Sequence, residues 1–199
     1  FRKIMDEKKI LLINLSKGRL GDINSHLLGL IIVGKLLMAA LSRADIPEDQ
    51  RSDFYLYIDE FQNVTTDSIA TILSEARKYK LNLTIAHQFI GQLEENIKKA
   101  VFGNVGSMGA FRVGAEDGEF LAKQFEPVFD AGDLLNIDNY RAYLKLLIEG
   151  QSSRPFNIAT LPFQKGDVNF GQEAALLSLA RYGRLRSQVE EEINKKFNL

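Results

Sequence analysis

Short apolar runs alternate with longer segments of helical periodicity along this chain. The runs Ile10–Leu15 and Phe54–Ile58 are continuous, which predicts strands buried in a sheet. Leu81–Ala86 and Gly106–Val113 predict two more strands, and the long apolar segment that ends near Arg43 has helical spacing. Strands that alternate with helices in this way favour an α/β fold with a mostly parallel sheet and helices on both faces.

The last third of the sequence predicts an edge hairpin followed by helices. Residues 140–148 alternate between apolar and polar positions, and a second extended run covers Pro155–Leu161 after a cluster of turn residues. From Phe170 onward the pattern is helical. We therefore predict an α/β domain over residues 1–165 and a C-terminal helical extension over residues 166–199.

Composition excludes several classes of function. The 199 residues contain no Cys, which excludes disulfides, thiolate metal sites and cysteine nucleophiles. Because 25 Lys+Arg nearly balance 26 Asp+Glu, any contact with nucleic acid has to be local. The most apolar stretch, Leu27–Leu41, is shorter than the ~20 residues that cross a bilayer, and Lys35 interrupts it. A buried helix is therefore the favoured interpretation of this stretch.

Two adjacent carboxylates, Asp59 and Glu60, follow directly on the predicted strand Phe54–Ile58. In parallel sheets, ligands bind just beyond the carboxyl ends of strands. In nucleotide hydrolysis the first carboxylate of such a pair holds Mg²⁺, usually through water, and the second deprotonates the attacking water. The pattern of an apolar strand ending in Asp-Glu is that of a Walker B motif. Alternatively, the pair begins a solvated loop.

Gln88 lies just after the next predicted strand. If the two strands are parallel neighbours, Gln88 reaches the same edge as Asp59 and Glu60, where its amide can contact a γ-phosphate or the attacking water. Alternatively, Gln88 only starts a loop. His87 points to the other side by strand alternation and is interpreted as a packed, structural residue.

Arg77 lies in the last turn of the helix predicted after Asp59 and Glu60. At ~1.5 Å per residue it is roughly 18 Å or more from the start of that helix, too far to serve the site of its own subunit easily. Arg77, with Lys78 and Lys80, can simply offset the negative end of the helix, by about 0.3–1 kcal/mol each. Alternatively, Arg77 enters the site of a neighbouring subunit in a ring as an arginine finger.

The sequence lacks the phosphate loop G-x-x-x-x-G-K-[ST] that a nucleotide site of this type needs upstream of Walker B. Gly34-Lys35 falls inside the predicted long helix, and Gly18-Arg19-Leu20-Gly21 lacks both the Lys and the hydroxyl residue. We therefore assign no cofactor-binding residue. We expect either the C-terminal part of a longer motor, inactive as this fragment, or a degenerate domain that does not hydrolyse nucleotide.

These motifs together resemble a known family. The run YLYIDEFQNVTTDSIATILSEARKYKLNLTIAHQFIGQL, continued by AVFGNVGSMGAFRVGAEDGEFLAKQFEP, is similar to the ATPase domain of type IV secretion coupling proteins. These are the TraD/TraG-type conjugative DNA-transfer ATPases of the wider HerA/FtsK group. The opening segment ILLINLSKGRLGDINSHLLGLIIVGKLL is similar to the stretch before their Walker B motif, so the resemblance covers about residues 8–162. The family's Walker A segment and membrane anchor are not in the sequence.

The resemblance implies a RecA-like domain that forms a homo-hexameric ring and pumps DNA with ATP and Mg²⁺. By position, Asp59 and Glu60 match the Walker B pair, Gln88 the sensor glutamine and Arg77 the arginine finger. Type IV secretion and relaxosome proteins are then partners. The resemblance also implies that this domain acts at the cytoplasmic face of the bacterial inner membrane, with membrane contact only through regions outside this chain.

DNA contact has two candidates, Lys17 and Arg19, in a Gly-containing loop. If this loop faces a central channel, both residues contact phosphate without sequence preference. Alternatively, they are ordinary loop charges.

For the whole chain, two other interpretations stay open: a DExQ-type helicase fragment, based on Asp-Glu-Phe-Gln, and a non-hydrolysing RecA-like assembly module. The sequence shows no further helicase motif.

Overall fold

Parallel and antiparallel strands both occur in this protein. The computed structural model describes residues 1–65, 67–166 and 169–197. Its strands are β1 (Phe54–Ile58), β2 (Leu81–Ile85), β3 (Met108–Ala110), β4 (Arg141–Lys145), β5 (Leu147–Ile148), β6 (Gln151–Ser152) and β7 (Phe156–Ala159). Its α-helices are α1 (Arg2–Asp6), α2 (Lys17–Leu20), α3 (Asp22–Leu41), α4 (Asp67–Glu75), α5 (Glu95–Asn104), α6 (Ala115–Phe125), α7 (Ala131–Leu135), α8 (Gly171–Tyr182) and α9 (Arg186–Phe197).

The chain divides into two units. The first, Phe1–Thr160, contains all the strands just named, and the second, Leu161–Leu199, contains α8 and α9. In the second unit, the large apolar side chains of both helices are exposed, for example Leu179 and Phe197.

The parallel pair β1–β2 positions the site. Ile58 lies opposite Ile85 in the register. Backbone pairing continues past the ends of both strands, because the Ala86 amide donates to the Ile58 carbonyl (2.9 Å) and the Phe61 amide donates to the Ala86 carbonyl (2.9 Å). Both strands therefore end at one edge, as the sequence predicts.

The antiparallel strands form a separate sheet with the order β3-β4-β7. The predicted hairpin is confirmed, since Ala142 lies opposite Ile158 in the β4–β7 pair. The predicted fourth strand shrinks to β3 and runs antiparallel to β4. The described strands are therefore mixed rather than mostly parallel. The predicted chain order could not reveal this, because strand direction depends on which neighbour β3 pairs with.

The main core lies between α3, the β1–β2 pair, α4 and α5. Its buried side chains include Leu36, Ala40, Phe61, Ile69 and Ile97. A second cluster packs α6 and α7 against the antiparallel sheet, with Phe125 and Leu134 fully buried. A stacked pair of rings, Phe129 and Tyr143, borders this second cluster (3.7 Å between centroids).

Two of the predicted buried strands differ in the structure. In β1 only alternate residues face the core, and Tyr55 and Tyr57 on the other face are 59% and 72% exposed. The predicted strand Ile10–Leu15 is wrong: it has no strand assignment, and Ile10 and Leu12 are almost fully exposed. An apolar run becomes a strand only where another strand accepts its backbone hydrogen bonds, and among the described residues β1 pairs only with β2.

Helix α3 with the turn that follows it, Asp22–Asp45, is long and apolar enough to cross a membrane by length and composition alone. However, its inner face, which includes Val33, Leu36 and Leu37, packs in the core with the β1–β2 pair. This packing favours the predicted role of a core helix.

Arg43, just after α3, is fully buried and ties the amino ends of β1 and β2 together. Its guanidinium donates to the Tyr79 carbonyl (3.0 Å), just before β2, and to the Ser52 carbonyl, just before β1. Its Nε lies 3.2 Å from Asp6 Oδ1, which supplies the counter-charge from α1. Buried charge is tolerated where it is paired and hydrogen-bonded in this way.

Candidate functional site

The acidic pair lies at the carboxyl edge of the parallel strands. Asp59 directly follows β1 and is exposed, whereas Glu60 is half-buried. Glu60 has φ 49° and ψ 46°, a left-handed conformation that non-glycine residues rarely adopt. The buried side chains of Phe61 and Val64 anchor the 3₁₀ turn that follows. Strained backbone of this kind concentrates at functional sites.

Gln88 lies against Glu60. The Gln88 Nε2 amide donates to Glu60 Oε1 over 2.6 Å, although the two residues are 28 positions apart. The contact follows from the parallel register, because both residues lie just beyond the ends of paired strands. The structure therefore brings together the two side chains that the sequence placed at one edge.

Gln62 ends the Asp-Glu-Phe-Gln run, which the sequence analysis considered only as a helicase box, and its contact with Glu60 was not predicted. Its Nε2 amide donates to Glu60 Oε2 over 2.6 Å, so both carboxylate oxygens of Glu60 accept a side-chain amide. Among the described residues, the buried Gln62 Oε1 has no hydrogen-bond partner. The available signal was the Glu-x-Gln spacing, which the tight 3₁₀ turn Phe61–Val64 folds back onto Glu60.

Two cavities border Glu60. One, of about 580 Å³, also exposes Asp59 and is walled by α3 and by residues 13–17. The other, of about 440 Å³, is lined by Lys17, Glu60, Gln62, Asn63 and Gln92. The carboxylates thus face open volume in which a ligand has room.

The two predicted DNA contacts have different surroundings. Lys17, at the start of α2, lines both cavities beside Glu60, and its Nζ lies 3.2 Å from Asp22 Oδ1. Arg19, two residues later, is exposed and lines neither cavity. The short helix separates two charges that looked equivalent in the sequence.

The structure does not bring Arg77 to the carboxylates. Arg77 lies in the 3₁₀ turn Ala76–Tyr79, immediately before β2, whereas Gln88 lies beyond the other end of that strand. The five residues of β2 separate the two edges by roughly 16 Å. Within the part of the chain that is described, the exposed Arg77 side chain makes no hydrogen bond or ion pair.

His87 is packed beside the site. It is half-buried, and its ring lies 6.4 Å from that of Phe61. Burial lowers the pKa of His87 below its usual value, while the charge of Asp117 acts in the opposite direction. This environment favours a neutral ring, in keeping with the predicted structural role.

The donor set fits a magnesium–nucleotide complex better than a bare metal site. No group of three or more His, Cys, Asp or Glu residues that could hold a metal occurs over residues 1–65, 67–166 and 169–197. Mg²⁺ needs fewer protein ligands in nucleotide sites, because one or two carboxylates are completed by phosphates and water. Asp59 and Glu60, beside an open cavity, meet that requirement.

A known protein family matches the segment of the chain that contains this site. The family described as the TraM recognition site of TraD and TraG matches residues 53–123, which include Asp59, Glu60, Arg77 and Gln88. The resemblance to TraD/TraG-type coupling proteins is confirmed. No curated protein sequence matches the chain.

Solved structures confirm the α/β fold class. The unbound conjugative coupling protein TrwBdeltaN70 matches with a TM-score of 0.57 at 17% identity, over 66% of this chain and 36% of that chain. TrwB with the ATP analogue ADPNP matches with a TM-score of 0.56 at 15% identity, over 74% and 38%. The genome packaging NTPase B204 from Sulfolobus turreted icosahedral virus 2, in complex with AMPPCP, matches with a TM-score of 0.50 at 14% identity, over 67% and 63%.

At these identities the likeness is one of fold. The chain spans little more than a third of the length of the TrwB chains that it matches. One further TrwB structure in this group contains ADP and Mg²⁺.

Proposed function

We propose that residues 1–160 form part of an ATP-driven DNA-translocating motor of the conjugative coupling type and carry its hydrolytic edge. The observation behind this proposal is the pair of hydrogen bonds that Gln88 and Gln62 donate to the two carboxylate oxygens of Glu60, beside an open cavity. Such a carboxylate is held in one orientation from which it can accept a proton.

Each residue has a distinct task in this proposal. Glu60 takes the proton of the attacking water, and Gln88, on Glu60 Oε1, senses the terminal phosphate. Asp59 holds Mg²⁺, which stabilises the negative charge that develops on the phosphoryl oxygens. The sequence lacks the phosphate loop, so the proposal assigns that loop to a region outside residues 1–199.

Structures of the related fold support the choice of nucleotide and metal, since TrwB is described with ADPNP and with ADP and Mg²⁺. The family description supports a relaxosome protein as a partner. A hexameric ring, DNA as cargo and a location at the cytoplasmic face of the inner membrane belong to the same proposal. In a ring, the exposed Arg77 is available to a neighbouring subunit.

The test uses the full-length parent protein. We expect ATPase activity that depends on Mg²⁺ and on DNA. Glu60→Gln should bind ATP with wild-type affinity and hydrolyse it about 10²–10⁴-fold more slowly, as expected for loss of a general base. Glu119→Gln, an exposed carboxylate on α6, is the matched control and should keep full turnover.

Two results would contradict the proposal. Unchanged turnover in Glu60→Gln would show that Glu60 is not the base. A full-length parent that neither binds nor hydrolyses ATP would instead support the alternative function, a RecA-like assembly module.

A further inference from the structure

Lys17 borders the carboxylate site on two sides. Its side chain lines both the cavity of about 580 Å³ that exposes Asp59 and the cavity of about 440 Å³ that contains Gln62. Glu60 is the carboxylate that both cavities share. Among the described residues that line the two cavities, Lys17 is the only basic one.

The negative charge at these cavities has to be offset by a cation when a nucleotide binds. Asp59 and Glu60 are acidic, and a triphosphate adds further negative charge close to them. In such sites, fixed cations placed close to the phosphoryl group that is transferred stabilise the charge of the transition state. Within this chain, Lys17 is placed to supply that cation.

The backbone holds Lys17 in place, while its side chain is only weakly engaged. The Gly21 amide donates to the Lys17 carbonyl (2.8 Å), and the Ser25 hydroxyl donates to the Leu15 carbonyl (2.5 Å), which ties the preceding segment to α3. The Lys17 and Asp22 side chains are 54% and 78% exposed. An exposed ion pair is worth only about 0–1 kcal/mol, so Lys17 can leave Asp22 for a phosphate.

We propose that Lys17 contacts a phosphate group of the nucleotide bound beside Asp59 and Glu60, and is not a DNA contact. This inference rests on the proposed function of the same site. Arg19, which is exposed and lines neither cavity, keeps its assignment as a DNA contact. The pair therefore offers one cation for each role on a single four-residue helix.

The experiment compares Lys17→Ala, Lys17→Arg and Arg19→Ala in the full-length protein. The readouts are the Kd for a fluorescent non-hydrolysable ATP analogue without DNA, KM and kcat for ATP, and the Kd for DNA at two salt concentrations. Lys17→Ala should weaken analogue binding about 10-fold or more, as for a lost hydrogen bond to a charged group. Its DNA affinity should stay at the wild-type value.

The other two variants serve as controls. Lys17→Arg retains the charge and should restore most of the analogue affinity, which a purely structural loss would not allow. Arg19→Ala should leave analogue binding unchanged and weaken DNA binding with a shallower salt dependence.

Two results would overturn the inference on Lys17 alone. In both, Glu60→Gln binds nucleotide as expected, and Lys17→Ala binds the analogue as tightly as the wild type. In the first result Lys17→Ala also loses DNA affinity, and in the second it keeps it. If the wild-type protein bound no nucleotide at all, the proposed function would be wrong as well. The Glu60 and Lys17 arms therefore separate the two failures.

Discussion

Gln88 Nε2 lies 2.6 Å from Glu60 Oε1, which joins the ends of two parallel strands through their side chains. The same carboxylate accepts a second amide from Gln62, also at 2.6 Å. One of these contacts spans the sheet and the other stays within a single turn. A change at either amide therefore alters the orientation of Glu60 by a different route.

Replacement of Gln62 should impair hydrolysis without weakening the fold. Gln62→Met keeps the side-chain length but removes the donor to Glu60 Oε2, so we expect kcat of the full-length protein to fall about 10-fold or more, with KM for ATP nearly unchanged. The substitution also removes the buried Gln62 Oε1, which has no partner among the described residues. Thermal unfolding should therefore occur at or above the wild-type temperature.

Gln92→Met is the matched control for Gln62→Met. Gln92 lines the same cavity of about 440 Å³ and makes no hydrogen bond to Glu60 within the described chain. It should keep wild-type kcat. Equal kcat values for the wild type and Gln62→Met would contradict the positioning role.

Arg77→Ala should act on neighbouring subunits rather than on its own. The structure places Arg77 at the opposite edge of β2 from Gln88, and its side chain is exposed. In rings mixed from Arg77→Ala and wild-type subunits, ATPase activity should fall more steeply than the mutant fraction. Lys78→Ala, which removes a surface ion pair with Glu75 (3.6 Å), should reduce activity only slightly in the same mixtures. A strictly proportional loss with Arg77→Ala would argue against a role in trans.

Two glycines of α3 should respond in opposite directions to alanine. A Cβ at Gly29 would overlap Val64 Cγ1, in the turn that follows Glu60, whereas a Cβ at Gly34 would meet no atom within 4 Å apart from its chain neighbours and its own helix backbone. We expect Gly29→Ala to lower the free energy of unfolding by about 1–3 kcal/mol, as overpacking does. Gly34→Ala should raise it by about 0.5–1 kcal/mol, because alanine is the better helix former.

Urea denaturation of both glycine variants measures these changes. If Gly29→Ala were as stable as Gly34→Ala, the close approach of α3 to the turn at Val64 would be incorrect.

The free energy of unfolding should fall in mild acid because of His87. Burial lowers the pKa of His87 in the folded protein, so below the usual histidine value of about 6.5 the unfolded chain binds the proton more readily. The neutral, buried His87 ring therefore contributes stability that is fully present above a pH of about 6.5. That stability is lost as the pH falls from there through the lowered pKa of His87 in the folded protein. In His87→Gln, the difference in unfolding free energy between pH 7.5 and pH 5.5 should be smaller than in the wild type. An identical difference would exclude His87 as its source.

The sequence was sufficient for the features that depend on local pattern. Apolar runs between polar segments predicted β1, β2 and the β4–β7 hairpin, and helical spacing predicted α3 as a core helix. The approach of Gln88 to Glu60 was also predictable, since residues just beyond the ends of parallel neighbours must reach the same edge. The resemblance to coupling proteins rested on the same motifs.

Tertiary structure decided the rest. Ile10–Leu15 is as apolar as β1 but is not a strand, because strand formation requires a paired backbone that the run itself does not contain. Lys17 and Arg19 are equivalent in the printed sequence, yet only Lys17 lines the cavities at Glu60. Local patterns determine which residues avoid water, whereas hydrogen-bond partners and cavity walls come from segments that are distant in sequence, and only the folded chain brings those segments together.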